Sequence, residues 1–211
     1  MKKADIFGKW AWPKKRMEDL PKEAQVEPNT PEEDAAYTAL HKYVDDNVPM
    51  PPEDAANVQA ALKSRNYDDV LTAPSSSTVY RGMTVPESWL RAALKASDDE
   101  ELPERGELQA SFTFTPWGEG GASSWTYNAG VAGEFATLRM KREPSGTEAR
   151  YRVTLTAPAD KSSETMMTGP DGFYGIVGLG NNDDEEEVIA FGPVKVTHIK
   201  WEIVPTGRNR W

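Results

Sequence analysis

The chain has 211 residues, enough for one domain with a self-sufficient core. It has no cysteine and two histidines, His41 and His198, which excludes disulfides, thiolate metal sites, cysteine nucleophiles and multi-histidine metal centres. With 34 acidic against 24 basic residues its net charge is −10, a balance unsuited to general nucleic-acid or anionic-membrane binding.

Positive charge gathers at the start, where Lys2, Lys3, Lys9, Lys14, Lys15 and Arg16 face Asp5 alone and Trp10 and Trp12 lie between them. No apolar run follows these lysines and no stretch reaches the length of a membrane span, so a cytosolic chain without signal peptide or transmembrane segment is expected. Residues 1–30 are expected to form a basic, Pro-rich arm and linker, 31–75 a helical lobe and 76–211 a strand-rich core, with 31–211 as one folded domain.

Thr30-Pro31-Glu32-Glu33 combines an N-cap, a first-turn proline and a capping-box acid. Ala36, Leu40 and Tyr43 then recur at helical spacing, predicting a helix that ends near Asn47. A second helix is predicted over Glu53–Ser64, with Ala56, Val58, Ala61 and Leu62 as its apolar positions, and Asp68–Thr72 is read as a turn. Thr78-Val79-Tyr80-Arg81-Gly82 reads as a short strand ending in a turn, and Pro86–Ala96 as a helix with Trp89, Leu90, Ala93 and Leu94 on one side. Leu108–Thr115 alternates in the strand manner. Pro116–Ser124 is rich in Gly and Ser and reads as an interruption, followed by a helix over Ala129–Leu138. Tyr151–Thr156 is a strand and Lys161–Asn182 a long loop; Glu185–Phe191 and Val194–Val204 are strands. Helices segregated ahead of strands predict an α+β fold rather than a doubly wound parallel sheet.

Several chemistries fail at the level of motif. Gly175-Ile-Val-Gly178-Leu-Gly180 lacks the third glycine of a dinucleotide fingerprint, since Asp183 stands there, and no helix is predicted after it. Gly118-Glu-Gly120-Gly121 lacks the lysine of a phosphate loop, and no serine sits in a nucleophile elbow.

Three elements survive in fixed order. The first is Val79-Tyr80-Arg81-Gly82. The second is the hydroxyl-bearing run Ser111-Phe112-Thr113-Phe114-Thr115, with Ser124-Trp125-Thr126 as the alternative, ahead of Ala132-Gly133-Glu134-Phe135-Ala136. The third is Glu185-Glu186-Glu187-Val188-Ile189. Arg81 offers a permanently charged fork suited to phosphate. Glu185 and Glu187, two apart, would share one face of a strand. Standing alone, Asp183–Glu187 also reads as a charged, solvated turn.

Aromatic-Arg-Gly, then Ser-x-Ser/Thr, then Glu-x-Glu-Val-Ile resembles the arginine–serine–glutamate class of mono-ADP-ribosyltransferases, which includes bacterial toxins and small bacteriophage enzymes. The resemblance spans about residues 78–204. It implies a core of two packed β-sheets behind a helical N-terminal lobe, with NAD as ADP-ribose donor and no metal. It also implies a protein acceptor, with nucleic acid left open as an alternative, and a monomer is expected.

By the same resemblance, Arg81 and Gly82 bind NAD, the glycine through its backbone, together with Thr113 and Phe135. Ser111 orients the catalytic glutamate, Glu187 stabilises the oxocarbenium-like transition state, and Glu185 deprotonates an arginine nucleophile. Phe173 and Tyr174 recognise the target, and Trp117 is a second aromatic near the nicotinamide. Two rival functions are an NAD glycohydrolase using the same residues and a non-enzymatic binding module with a decayed site.

Overall fold

A computed structural model describes residues 30–46, 48–64, 78–116, 120–138, 148–159, 166–168 and 187–205. The basic arm, the expected turn at Asp68–Thr72 and most of the 161–182 loop lie outside the described residues.

Helix α1 spans Pro31–Asp46 and α2 spans Pro52–Ser64. Thr30 caps α1, its Oγ1 accepting the backbone N–H of Glu33 at 3.2 Å. Both helices begin on a proline, where the missing N–H leaves no intrahelical bond unmade. Ala36, Tyr37 and Leu40 of α1 pack with Ala55, Val58 and Ala61 of α2 and with Met50 between the helices. The buried stripe of α2 therefore runs through Ala55, and the expected Ala56 is exposed.

The strands are β1 Thr78–Pro86, β2 Arg105–Phe114, β3 Ala122–Thr126, β4 Arg150–Pro158, β5 Met166–Thr168, β6 Glu187–Phe191 and β7 Val194–Ile203, with α3 Glu87–Leu94 and α4 Ala129–Leu138 between them. They form one antiparallel sheet in the order β2-β7-β4-β1-β3-β6-β5. The fold is α+β, as expected. The two expected sheets are the two halves of this single hydrogen-bonded sheet, curled over a common core. Four strand steps separate β2 from β3 in that order, about 19 Å in a flat sheet, yet the Phe114 and Trp125 rings meet edge-on with centroids 6.0 Å apart.

Alternation divides the side chains between the two faces. Val79, Met83 and Val85 of β1, Val153 and Leu155 of β4, Val188 and Ala190 of β6 and Ile199 and Trp201 of β7 fill the inside of the curl. Helix α3 packs against this core through Leu90, and Trp89 meets Phe112 edge-on at 6.1 Å. On the outer face, Ala122, Ile189 and Phe191 carry the α1–α2 lobe. Helix α4 lies against β1, where Thr84 Oγ1 donates to the Ala136 carbonyl at 2.6 Å.

Three expectations change. Gly82 does not end its strand; β1 continues to Pro86. A Cβ on Gly82 would stand 1.5 Å from the Ala132 carbonyl oxygen, so glycine is required for the seating of α4. The run read as a Gly/Ser interruption contains the start of β3, an inner strand of the sheet. Its serines sit in a strand because Ser123, buried, takes the indole N–H of Trp125 at 2.9 Å. Met166–Thr168, expected within a loop, pairs with β6.

The first turn of α3 lacks a side-chain cap because its N-cap residue is Pro86. Residues 148–149 supply one: Glu87 N–H donates to the Ala149 carbonyl at 2.9 Å and Ser88 N–H to Glu148 Oε1 at 2.5 Å. The backbone hydrogen bond from Ser88 holds the Glu148 carboxyl below its ordinary pKa.

Two tests follow from this packing. Gly82→Ala should destabilise the fold by about 3 kcal/mol, the upper end of ordinary overpacking. Gly133→Ala on the same α4 helix, where nothing lies within 4 Å of the new methyl, should stabilise by about 0.5–1 kcal/mol. Urea midpoints of the two variants should move in opposite directions. Because folding lowers the Glu148 pKa, its contribution is complete above the unfolded-state pKa and disappears as pH falls through the folded one. Glu148→Gln should therefore lower the urea midpoint at neutral pH, and the gap should narrow as pH falls below the ordinary carboxylate range; a gap unchanged by pH would refute the cap.

Candidate functional site

The centre of the candidate site is Arg81, which alternation turns to the inside of the curl with Val79 and Met83. The guanidinium carbon lies 5.3 Å from the centroid of the Phe114 ring. Nη1 donates to the main-chain carbonyl of Ser124 at 2.5 Å. An aromatic face on one side and a carbonyl on the other hold the charge in a single pose. Cation–π contacts of this kind contribute about 0.5–2 kcal/mol, and charge-assisted hydrogen bonds exceed neutral ones.

The backbone register aligns the three motifs. Tyr80 is paired with Thr126 across β1 and β3, and Thr126 with Glu187 across β3 and β6. Positions 80, 126 and 187 thus form one row across three successive strands, about 10 Å from end to end. Arg81 is the next residue along β1, and Ser124 lies two residues back on β3. The Glu187 backbone opens β6.

Local hydrogen bonds fix the turn that leaves this row. Thr126 Oγ1 accepts the N–H of Asn128 at 3.0 Å. Asn128 Oδ1 in turn caps α4, accepting from Gly130 at 2.9 Å and Val131 at 3.3 Å. Helix α4 then returns across Gly82. The second motif therefore binds the first through both its strand and the helix that follows. Ser124 has a further partner outside the sheet: its Oγ lies 2.9 Å from the hydroxyl of Tyr43 on α1.

Of the residues expected from sequence, Arg81, Gly82 and the backbone of Glu187 come together. Ser111 and Thr113 do not join them. Both are exposed on the edge strand β2, while Phe112 and Phe114, of opposite alternation, turn inward. The hydroxyl-bearing strand beside Arg81 is β3: Arg81 reaches the main-chain carbonyl of Ser124, while the side chains of Ser124 and Thr126 take the other face of that strand, where Ser124 meets Tyr43. Phe135 is half-buried on α4. Trp117, Phe173, Tyr174 and Glu185 lie outside the described residues. Sequence reasoning missed Tyr43 as a partner of Ser124 and Phe114 as the partner of Arg81. Periodicity had marked both as inward-facing, but neither partner is local.

Among the described residues no group of three or more His, Asp or Glu side chains is placed to hold a metal ion. No described helix is long and apolar enough to cross a membrane.

No family model matches the chain, and no curated protein matches it. Two solved structures resemble it in outline. One is Vis toxin, an ADP-ribosyltransferase from Vibrio splendidus, at 16% identity and a TM-score of 0.35, covering 98% of this chain and 85% of that one. The other is the ADP-ribosyltransferase Vis in complex with the M6 inhibitor, at 17% identity and a TM-score of 0.33, covering 99% and 85% respectively. Likeness at this level carries no residue-to-residue correspondence.

Proposed function

We propose that the chain is a mono-ADP-ribosyltransferase that moves ADP-ribose from NAD to a protein, with arginine as the acceptor. The observation that carries this reading is the row across β1, β3 and β6. Arginine, hydroxyl and glutamate motifs, whose paired positions 80, 126 and 187 are 46 and 61 residues apart in the sequence, fall on three adjacent strands. Their order matches that of the arginine–serine–glutamate class.

The chemistry asks for one fixed cation, a few hydroxyls and two carboxylates. Arg81, already oriented by Phe114 and the Ser124 carbonyl, supplies the charge for the dinucleotide's pyrophosphate in a chain that is otherwise anionic. Ser124 and Thr126 supply the hydroxyls. Glu187 accepts a hydrogen bond from the 2′-hydroxyl of the nicotinamide ribose and stabilises positive charge at C1′. The C1′–N bond breaks with its electron pair leaving on nicotinamide. A guanidinium has a pKa above about 12 and is not nucleophilic until deprotonated. Glu185 takes that proton as the acceptor nitrogen forms the new bond to C1′. Phe173 and Tyr174 contribute to recognition of the target protein.

With labelled NAD, the purified chain should label a susceptible protein on arginine, identified by mass spectrometry, and Glu187→Ala should abolish labelling while preserving the fold. Full activity in Glu187→Ala would sink the assignment. NAD cleavage without any labelled protein would make water the acceptor and the chain a glycohydrolase. Absence of NAD binding by calorimetry would indicate a binding module without catalysis. Glu185→Gln should suppress transfer more than NAD hydrolysis, and equal losses would argue against divided roles. Ser124→Ala should cost more than about tenfold in kcat/KM, the scale of one charge-assisted hydrogen bond, whereas Ser111→Ala should cost less than that of any site residue.

A further inference from the structure

We infer that Tyr43, on the helical lobe, is a positioning residue for Ser124, so that the lobe is part of the catalytic unit; this rests on the transferase reading above. Tyr43 stands near the end of α1 on the apolar side that carries Ala36, Ala39 and Leu40. Its ring packs with the lobe cluster, and its hydroxyl reaches Ser124 Oγ at 2.9 Å, across 81 positions of sequence. Phenylalanine would satisfy the packing and lose the hydroxyl that meets Ser124.

The lobe is held in register with β3 so that this contact falls where it does. The backbone N–H of Gly121 donates to the carbonyl of Met50, between α1 and α2, at 2.5 Å. A Cβ on Gly121 would stand 2.5 Å from Ala55 Cβ, 2.6 Å from Pro52 Cα and 2.8 Å from the Pro51 carbonyl oxygen, so glycine is required for this approach. The Gly121 carbonyl in turn accepts the N–H of Gly192, just after β6, at 2.7 Å. Gly121 and Ser124 are three residues apart, about 10 Å along an extended chain. Two points of attachment at that separation prevent α1 from sliding or rotating over the strand.

The direction of the hydrogen bond follows from acidity. A phenol O–H is the stronger donor and an aliphatic hydroxyl the better acceptor. With Tyr43 donating, Ser124 Oγ is engaged as an acceptor. The Ser124 carbonyl is already taken by Arg81. Tyr43 therefore fixes the rotor of a residue whose main-chain carbonyl accepts the proposed NAD-binding arginine.

The test is a double-mutant cycle on the full chain with labelled NAD, comparing wild type, Tyr43→Phe, Ser124→Ala and the double variant. Tyr43→Phe should lower kcat about tenfold, the scale of one hydrogen bond, with the KM for NAD changed less than about twofold. In the Ser124→Ala background the same substitution should have no further effect, because there is no hydroxyl left to orient. Losses that multiply across the cycle would overturn the inference, as would a Tyr43→Phe enzyme with wild-type kcat. A structural role for the tyrosine would persist in the Ser124→Ala background, so the cycle decides even if Tyr43→Phe also lowers the melting temperature. A wild-type chain without NAD chemistry would overturn the transferase reading and this inference together. An active wild type with an unaffected Tyr43→Phe would overturn only the latter.

Discussion

The closure of the sheet over its own core is the constraint on which the rest of this molecule depends. An antiparallel sheet with a flat path would leave β2 and β3 far apart, and Phe114 would have no reason to meet Trp125. The right-handed twist of strands permits the curl, and burial of a continuous apolar inner face from β1 through β7 drives it. Once the curl is made, Phe114 lies beneath Arg81. A cation can then sit at the edge of an apolar core without being stranded there. The desolvation of its guanidinium is offset by a ring face and a main-chain carbonyl.

The outer face of the sheet has a different task. Helix α4 and the α1–α2 lobe cover it side by side, and each approaches at a glycine, Gly82 for α4 and Gly121 for the lobe. These contacts flank the hydroxyl-bearing end of β3. Core packing, helix seating and the polar groups of the candidate site are therefore coupled through one short strand. Ser123 and Trp125 face inward and bond each other, while Ser124 turns to Tyr43. A strand of five residues carries both duties because alternation gives it two independent faces.

Much of this was legible in the chain. Thr30 and Pro31 mark the start of α1, the helical period of α1 places Leu40 and Tyr43, and Ala129–Leu138 is found at the boundaries its pattern predicts. The alternation of β2 indicates that Phe112 and Phe114 turn inward. The arginine and the final glutamate are singled out by the order of the three motifs and the family this order resembles, since each taken alone also reads as an ordinary surface charge. The hydroxyl motif could not be settled in the same way. Two Ser/Thr runs fit, and local strand signal favoured Ser111 and Thr113 because phenylalanines alternate with them, whereas Ser123 and Ser124 follow glycines. Strand preference depends on what the side chain packs against more than on the residue itself, and Ser123 packs against a tryptophan.

Composition by itself determined which side-chain chemistry is missing, since there is no thiol and there are only two histidines, and a charge of −10 makes the holding of any anion depend on local cations. The sequence also determined the class of fold and the residue types available for a site, since periodicity and caps are local properties. Tertiary structure alone decided which hydroxyl-bearing strand stands beside Arg81, which ring supports it and which helix reaches Ser124. Those facts depend on strand order and on the closure of the sheet, and both arise from contacts between residues scores of positions apart, which no local pattern encodes.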